Sequence, residues 1–79
     1  MNITIVGTGC AKCRKLEELV REVVKEKGID ASIDKMDDIR KIADSGILMT
    51  PGLIVNDTVK AAGKLPSKAE VEKIIESSR

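Results

Sequence analysis

An abrupt change of hydrophobic pattern after Val6 is the feature that most limits what this chain can fold into. The β-branched residues Ile3, Ile5 and Val6 predict a strand near the amino terminus. The segment Gly7–Gly9 then breaks the pattern, and over Ala11–Lys27 the apolar residues recur with the period of an amphipathic helix. A strand that leads through so short a break into a long helix predicts an α/β domain.

Two shorter elements are predicted between residues 29 and 46. The apolar residues of segment 29–34 alternate with polar ones, which indicates a half-buried strand. Asp37 suits the N-cap of a short second helix, and Gly46 suits its end. We expect this helix to turn its apolar residues inward, namely Ile39, Ile42 and Ala43.

The last third of the chain predicts a hairpin and a final helix. Asn56 and Asp57 separate two strand-like runs, which is typical of a β-hairpin. Ser67, with Glu70 three residues later, predicts a capped helix. The predicted order is β-α-β-α-β-β-α, in one domain over residues 1–79. A strand–helix–strand unit gives a parallel pair and a hairpin gives an antiparallel pair, so we expect a four-stranded mixed sheet flanked by helices.

Composition excludes several function classes. Fourteen Lys and Arg against thirteen Asp and Glu give a net charge of +1, and the chain has no aromatic residue. Nucleic-acid binding is therefore not expected, because it relies on a dominant basic patch or on aromatic stacking. The chain has neither a leader-like segment after Met1 nor an apolar run of membrane-spanning length. We expect a cytoplasmic protein that does not bind membranes and is a monomer.

The two cysteines lie where the first strand gives way to the first helix. Because a helix amino terminus stabilises a thiolate, we expect the pKa of Cys10 to fall below the usual value of about 8.5. Lys12, Arg14 and Lys15 add positive charge to the same region. Cys13 lies one turn further into the helix and can close a disulfide with Cys10. The spacing predicts a thiol–disulfide oxidoreductase in which Cys10 attacks, Cys13 resolves the mixed disulfide, and no further cofactor is needed.

Residues 7–13, the segment Thr50–Gly52 and Gly63 together resemble the thioredoxin superfamily, in particular its small, glutaredoxin-sized redox-active disulfide proteins. The element order matches along nearly the whole chain, although Ala11 and Lys12 stand between the cysteines where thioredoxins proper have Gly-Pro. The resemblance implies a cis peptide bond before Pro51, facing the cysteine pair. It also implies electron transport to protein disulfide substrates, with a reductase as the second partner. The implied substrate-binding residues are Gly9, Lys12, Thr50 and Pro51.

A metal-binding or metal-transfer module is the alternative interpretation of the same two cysteines. Soft thiolates select Cu(I), and the segment Gly9–Cys13 is similar to the loop of small heavy-metal-associated domains. Those domains follow the order β-α-β-β-α-β and usually carry methionine two residues before the first cysteine, where this chain has Thr8. The redox interpretation is therefore preferred, with no metal ligands assigned.

Overall fold

The computed structural model describes residues 1–9, 11–47 and 49–79, which form four strands and three helices. The strands are β1 (Asn2–Val6), β2 (Ser32–Met36), β3 (Gly52–Val55) and β4 (Thr58–Ala62). The helices are α1 (Ala11–Lys27), α2 (Ile39–Asp44) and α3 (Lys68–Ser77). The order β-α-β-α-β-β-α confirms the one predicted from the sequence.

The four strands form one mixed sheet in the order β2-β1-β3-β4. Strand β1 runs parallel to β2 and antiparallel to β3, and β3 runs antiparallel to β4. This is the predicted mixed sheet. Because β1 and β3 are antiparallel, Gly52 at the start of β3 lies opposite Val6 at the end of β1. The segment before β3 is thereby brought to the same edge of the sheet as the loop after β1.

The core lies between the two central strands and the two longer helices. Ile3 pairs with Val55 and Ile5 pairs with Leu53, which places these four side chains on one face of the sheet. Buried residues of α1 and α3 complete the cluster: Leu16, Val20, Val23, Val71 and Ile75. Branched aliphatic side chains thus fill a core that has no aromatic residue.

The hairpin prediction is confirmed by the backbone of its turn. Asn56 and Asp57 have φ values of 49° and 67°. Positive φ at both central residues is the requirement of a type I′ turn, which matches the twist of the flanking strands. The side chain of Asn56 also accepts a hydrogen bond from the Asn2 backbone N–H at 2.9 Å, so the turn is tied to the start of β1.

Helix α2 differs from its prediction in two respects. Its N-cap is Asp38 and not Asp37, because the Asp38 carboxylate accepts a hydrogen bond from the Arg40 N–H at 2.9 Å. The expected inward face is wrong for Ile39, which is 75% exposed, and for Ala43, which is also exposed; Ile42 is half-buried, and α2 has no fully buried residue. A helix of fewer than two turns presents no continuous apolar stripe, so Ile39 directly after the cap points to solvent.

Strand β2 begins later than the alternation of apolar residues suggests. The Ile29 N–H donates to the Val24 carbonyl at 3.1 Å, which keeps this residue in the closing turn of α1. The Ser32 N–H donates to the Met1 carbonyl at 2.8 Å and begins the pairing with β1. Ile29 and Ala31 are half-buried all the same, so the alternation correctly indicated which side chains face inward.

An ion-pair cluster joins α1 to α3 at the surface. The Lys68 ammonium lies 2.9 Å from a Glu22 oxygen and 2.6 Å from a Glu26 oxygen. Hydrogen bonds to Glu22 and Glu26 raise the pKa of Lys68, and the hydrogen bond from Lys68 lowers the pKa of Glu22. A carboxyl whose pKa is lowered by folding stabilises the fold above its unfolded pKa of about 4.3 and loses that effect as the pH falls through its folded pKa.

Replacing Lys68 with Met should therefore weaken the pH dependence of stability. We expect Lys68→Met to have a slightly lower melting temperature than the wild type at pH 7, with the difference narrowing when the pH is lowered to 3, because acid protonates Glu22 and weakens its ion pair with Lys68. Thermal unfolding followed by circular dichroism at both pH values measures the difference. Lys73→Met, an exposed lysine of the same helix, is the control. An equal difference in melting temperature at pH 7 and pH 3 would contradict a pH-dependent contribution of this ion-pair cluster to stability.

Candidate functional site

The candidate site lies at the edge of the sheet where β1 ends and β3 begins. The Gly7–Gly9 loop leads from β1 into α1, and the pairing of Gly52 with Val6 brings Thr50 and Pro51 alongside it. The Gly7 N–H donates to the Met36 carbonyl at 2.9 Å, which anchors the loop to the end of β2. The two predicted segments, one before α1 and one before β3, therefore meet at one edge.

Cys13 is buried at this edge, as predicted from its place on the apolar stripe of α1. Its side chain is 5% exposed, and Leu16 and Val20 continue the same buried stripe. A Cβ atom placed on Gly7 would overlap the Cys13 Sγ, and it would lie 2.9 Å from the Cys13 Cβ and 3.8 Å from the Thr50 Cβ. Cys13 and Thr50 therefore both border Gly7. Cys10 lies outside the described residues.

The Thr50–Pro51 peptide bond is cis, as the resemblance implied. Pro51 is fully buried, and its carbonyl accepts a hydrogen bond from the Gly63 N–H at 3.0 Å. This bond links the residue before β3 to the residue after β4. Thr50, beside it, is half-buried. The hydrogen bond to the Pro51 carbonyl holds this part of the backbone at the same edge as Cys13.

The other predicted site residues lie on the exposed side of the same edge. Gly9 has φ +85° and is exposed, and the Arg14 Nε donates to its carbonyl at 3.2 Å. Lys12 and Lys15 are exposed on the first part of α1, whose first turn carries no acidic residue. The start of α1 thus carries a positive surface, to which the guanidinium of Arg14 and the helix dipole both contribute.

Two residues of this edge were not among the site residues predicted from the sequence. Gly7 is buried against Cys13, a contact between the loop after β1 and α1 that no local sequence signal reveals. Met49 is 66% exposed directly before Thr50, and a Cβ on Gly63 would lie 3.3 Å from its Cβ. The only signal that could have found Met49 is its position next to Thr50-Pro51, because an apolar residue in a loop is otherwise uninformative.

Three further findings concern the described residues: a cavity away from this site, the lack of a group of metal-ligating side chains and the lack of a membrane-spanning helix. A shallow cavity of about 380 Å³ lies at the opposite end of the sheet, where Ile29, Asn56 and Arg79 line it. Within residues 1–9, 11–47 and 49–79, no group of three or more Cys, Asp or Glu side chains is placed to hold a metal ion. Over the same ranges, no helix combines the length and the apolar character needed to cross a bilayer.

A four-stranded mixed sheet with three helices in this order is the thioredoxin-like fold. The family model described as "Thioredoxin domain" matches residues 1–76. The chain is 45% identical over 75 residues to a thioredoxin of Methanothermobacter thermautotrophicus, which covers 95% of this chain and 97% of that protein. It is 41% identical over 75 residues to a thioredoxin of Methanocaldococcus jannaschii, covering 95% of this chain and 86% of that one. The chain therefore belongs to the thioredoxin family, a family of thiol–disulfide oxidoreductases.

Proposed function

We propose that this protein exchanges disulfides through Cys10 and Cys13 by way of a mixed disulfide with its substrate. The observation that carries the proposal is the buried Cys13 sulfur, which lies against Gly7 at the edge that also holds Thr50. Helix α1 begins at Ala11, the residue that follows Cys10 in the sequence. A C-x-x-C pair at the start of a helix is the arrangement that favours a reactive thiolate.

Cys10 is proposed as the attacking thiol. The positive end of the α1 dipole and the cations of Lys12, Arg14 and Lys15 favour the thiolate over the thiol. The Cys10 thiolate forms a bond to one sulfur of the substrate disulfide, and the other substrate sulfur leaves as a thiolate that takes up a proton. One disulfide bond is formed and one is broken, so this step involves no net oxidation.

Cys13 is proposed as the resolving thiol. Because Cys13 is buried, disulfides in solution reach it poorly. Cys10 is only three residues away in the sequence, a spacing of about one helical turn, so Cys13 can reach it. The Cys13 thiolate attacks Cys10 in the mixed disulfide, and the substrate sulfur leaves. The substrate ends as a dithiol, while this protein ends with a Cys10–Cys13 disulfide that a reductase must reduce again.

Protein disulfides are the proposed substrates, held at the edge formed by Thr50 and Pro51 with Gly9 and Lys12 on the exposed side. The half-buried backbone at Thr50 suits an extended substrate segment that pairs as an added strand. The relatives named thioredoxin support this substrate class and a reductase as electron donor. A cytoplasmic monomer completes the proposal, since thiols stay reduced in that compartment.

A redox titration of the pure protein tests this function. We expect a single two-electron transition in dithiol buffers, read by thiol labelling and mass spectrometry, with a midpoint within or near the range of about −270 to −200 mV spanned by thioredoxins and glutaredoxins. The reduced protein should also reduce a disulfide-bonded peptide stoichiometrically. A pair that does not oxidise, or that oxidises only between two chains, would contradict the proposal. The alternative, Cu(I) binding by the two thiolates, would then be tested by titration with Cu(I).

A further inference from the structure

Gly7 is a buried glycine whose backbone does not need glycine. Its φ is not positive, in contrast to Gly9 in the same loop with φ +85°. Its N–H is held by the Met36 carbonyl at 2.9 Å, which continues the hydrogen bonding of the sheet beyond β1. Its φ therefore does not by itself require glycine. The reason for glycine at this position must therefore lie in the space around its Cα.

That space is occupied by the side chain of Cys13. A Cβ on Gly7 would overlap the Cys13 Sγ and would come within 2.9 Å of its Cβ, closer than real Cβ atoms approach other heavy atoms. Thr50 borders the same point, with its Cβ at 3.8 Å. The Cys13 sulfur thus lies directly against the backbone of Gly7, just after β1, beside the residue proposed to hold substrate.

We propose that Gly7 is a positioning residue for thiol–disulfide exchange, because its missing side chain leaves the space in which the Cys13 sulfur lies. This inference rests on the proposed function. The step concerned is the attack of the Cys13 thiolate on Cys10, in which the Cys10–Cys13 bond forms, the bond from Cys10 to the substrate breaks, and the substrate sulfur leaves as a thiolate. Disulfide geometry is narrow, so the location of the Cys13 sulfur before attack governs the rate of this step.

A methyl group at position 7 should displace that sulfur. The backbone of Gly7 is fixed by its hydrogen bond, and Cys13 is fixed by the helix, so the side chain of Cys13 must rotate or α1 must shift. The dithiol tolerates either change better than the disulfide, because only the disulfide requires the two sulfurs at bonding distance. Gly7→Ala is therefore expected to make the Cys10–Cys13 disulfide easier to reduce and to slow its formation.

The matched control is Gly52→Ala, another buried glycine without positive φ at the same edge. A Cβ on Gly52 would lie 2.6 Å from the Ile47 Cδ1 and 3.3 Å from the Val6 Cβ, so it crowds the core and not Cys13. Both variants should lose stability. Only Gly7→Ala should change the properties of the dithiol.

The test combines the redox equilibrium with the release of peptide from a preformed mixed disulfide at Cys10. For Gly7→Ala we expect an equilibrium constant shifted about tenfold toward the dithiol, which is about 30 mV for two electrons, and a release about tenfold slower or more. Gly52→Ala should match the wild type in both. Unchanged values in Gly7→Ala, or equal changes in Gly52→Ala, would overturn the inference. A wild type without a redox couple would instead overturn the proposed function.

A folding defect in Gly7→Ala is also informative. Cys13→Ala removes the Sγ, the atom that a Cβ at position 7 would overlap most severely. If Gly7→Ala does not fold, we expect the double variant Gly7→Ala/Cys13→Ala to recover the far-ultraviolet circular dichroism spectrum of Cys13→Ala. Failure of the double variant to recover would show that position 7 is sensitive for a reason other than the Cys13 Sγ, and the inference, which rests on that sulfur, would be wrong.

Discussion

A Cys13→Ser variant is expected to stop the exchange cycle after its first step and to accumulate as a mixed disulfide with its substrate. Serine retains the size of the buried Cys13 side chain but supplies a hydroxyl, which does not attack a disulfide at neutral pH. Cys10 can still form its bond to the substrate, but no thiol is present to displace it. Mass spectrometry under non-reducing conditions should therefore find one substrate chain per protein chain, released by dithiothreitol.

The Cys10→Ser variant is the control for this experiment. Its remaining thiol, Cys13, is 5% exposed and should not react with the same peptide disulfide at a comparable rate. Equal adduct formation by the two variants would contradict the division of roles between the cysteines. Failure of Cys13→Ser to form an adduct, under conditions in which the wild type reduces the peptide, would show that Cys13 does not perform the resolving step.

The largest expected effect on stability is that of Ile75→Ala in α3. Ile75 is fully buried in the cluster that joins β1, β3, α1 and α3. Truncation of a buried isoleucine to alanine costs about 2–5 kcal/mol of the free energy of unfolding. The domain has 79 residues, and domains of this size are stable by only about 5–15 kcal/mol or less. One substitution should therefore remove a large part of its stability.

Urea unfolding followed by far-ultraviolet circular dichroism measures this loss; fluorescence does not serve because the chain has no tryptophan or tyrosine. The same substitution at Ile39 is a matched control, since Ile39 lies in a helix but is 75% exposed. Ile39→Ala should change the free energy of unfolding by no more than about 0.5 kcal/mol. Similar losses in the two variants would show that burial does not distinguish these positions.

The element order was predictable because each element carries local signals. Ser67 caps α3 through a hydrogen bond from the Glu70 N–H, and Asn56 with Asp57 forms the predicted turn. Such signals depend on hydrogen bonds between residues close in sequence, so they can be read without the fold. The parallel pair of β1 with β2 and the antiparallel pair of β3 with β4 followed from the connections between the strands, whereas the pairing of β1 with β3 was not predicted.

The features that were predicted wrongly or missed are those set by contacts between residues far apart in sequence. Ile39 was expected to face inward, but α2 is too short to bury an apolar stripe. The burial of Cys13 followed from helical periodicity, whereas its contact with Gly7 did not. That contact joins the loop after β1 to α1, and its existence depends on how closely α1 approaches this loop. A sequence contains no local sign of such an approach.

The exposure of α2 has a consequence for how this domain can change in length. Because none of its six residues is buried, the segment between Asp38 and Gly46 can open locally without exposing the core. Its opening free energy is accordingly small compared with that of the whole domain. Residues inserted into or deleted from α2 are therefore expected to leave the packing of α1 and α3 on the sheet intact. Within the connection from β2 to β3, new sequence is therefore expected to be tolerated in α2 itself and not at the buried Ile47 or Pro51 that follow it.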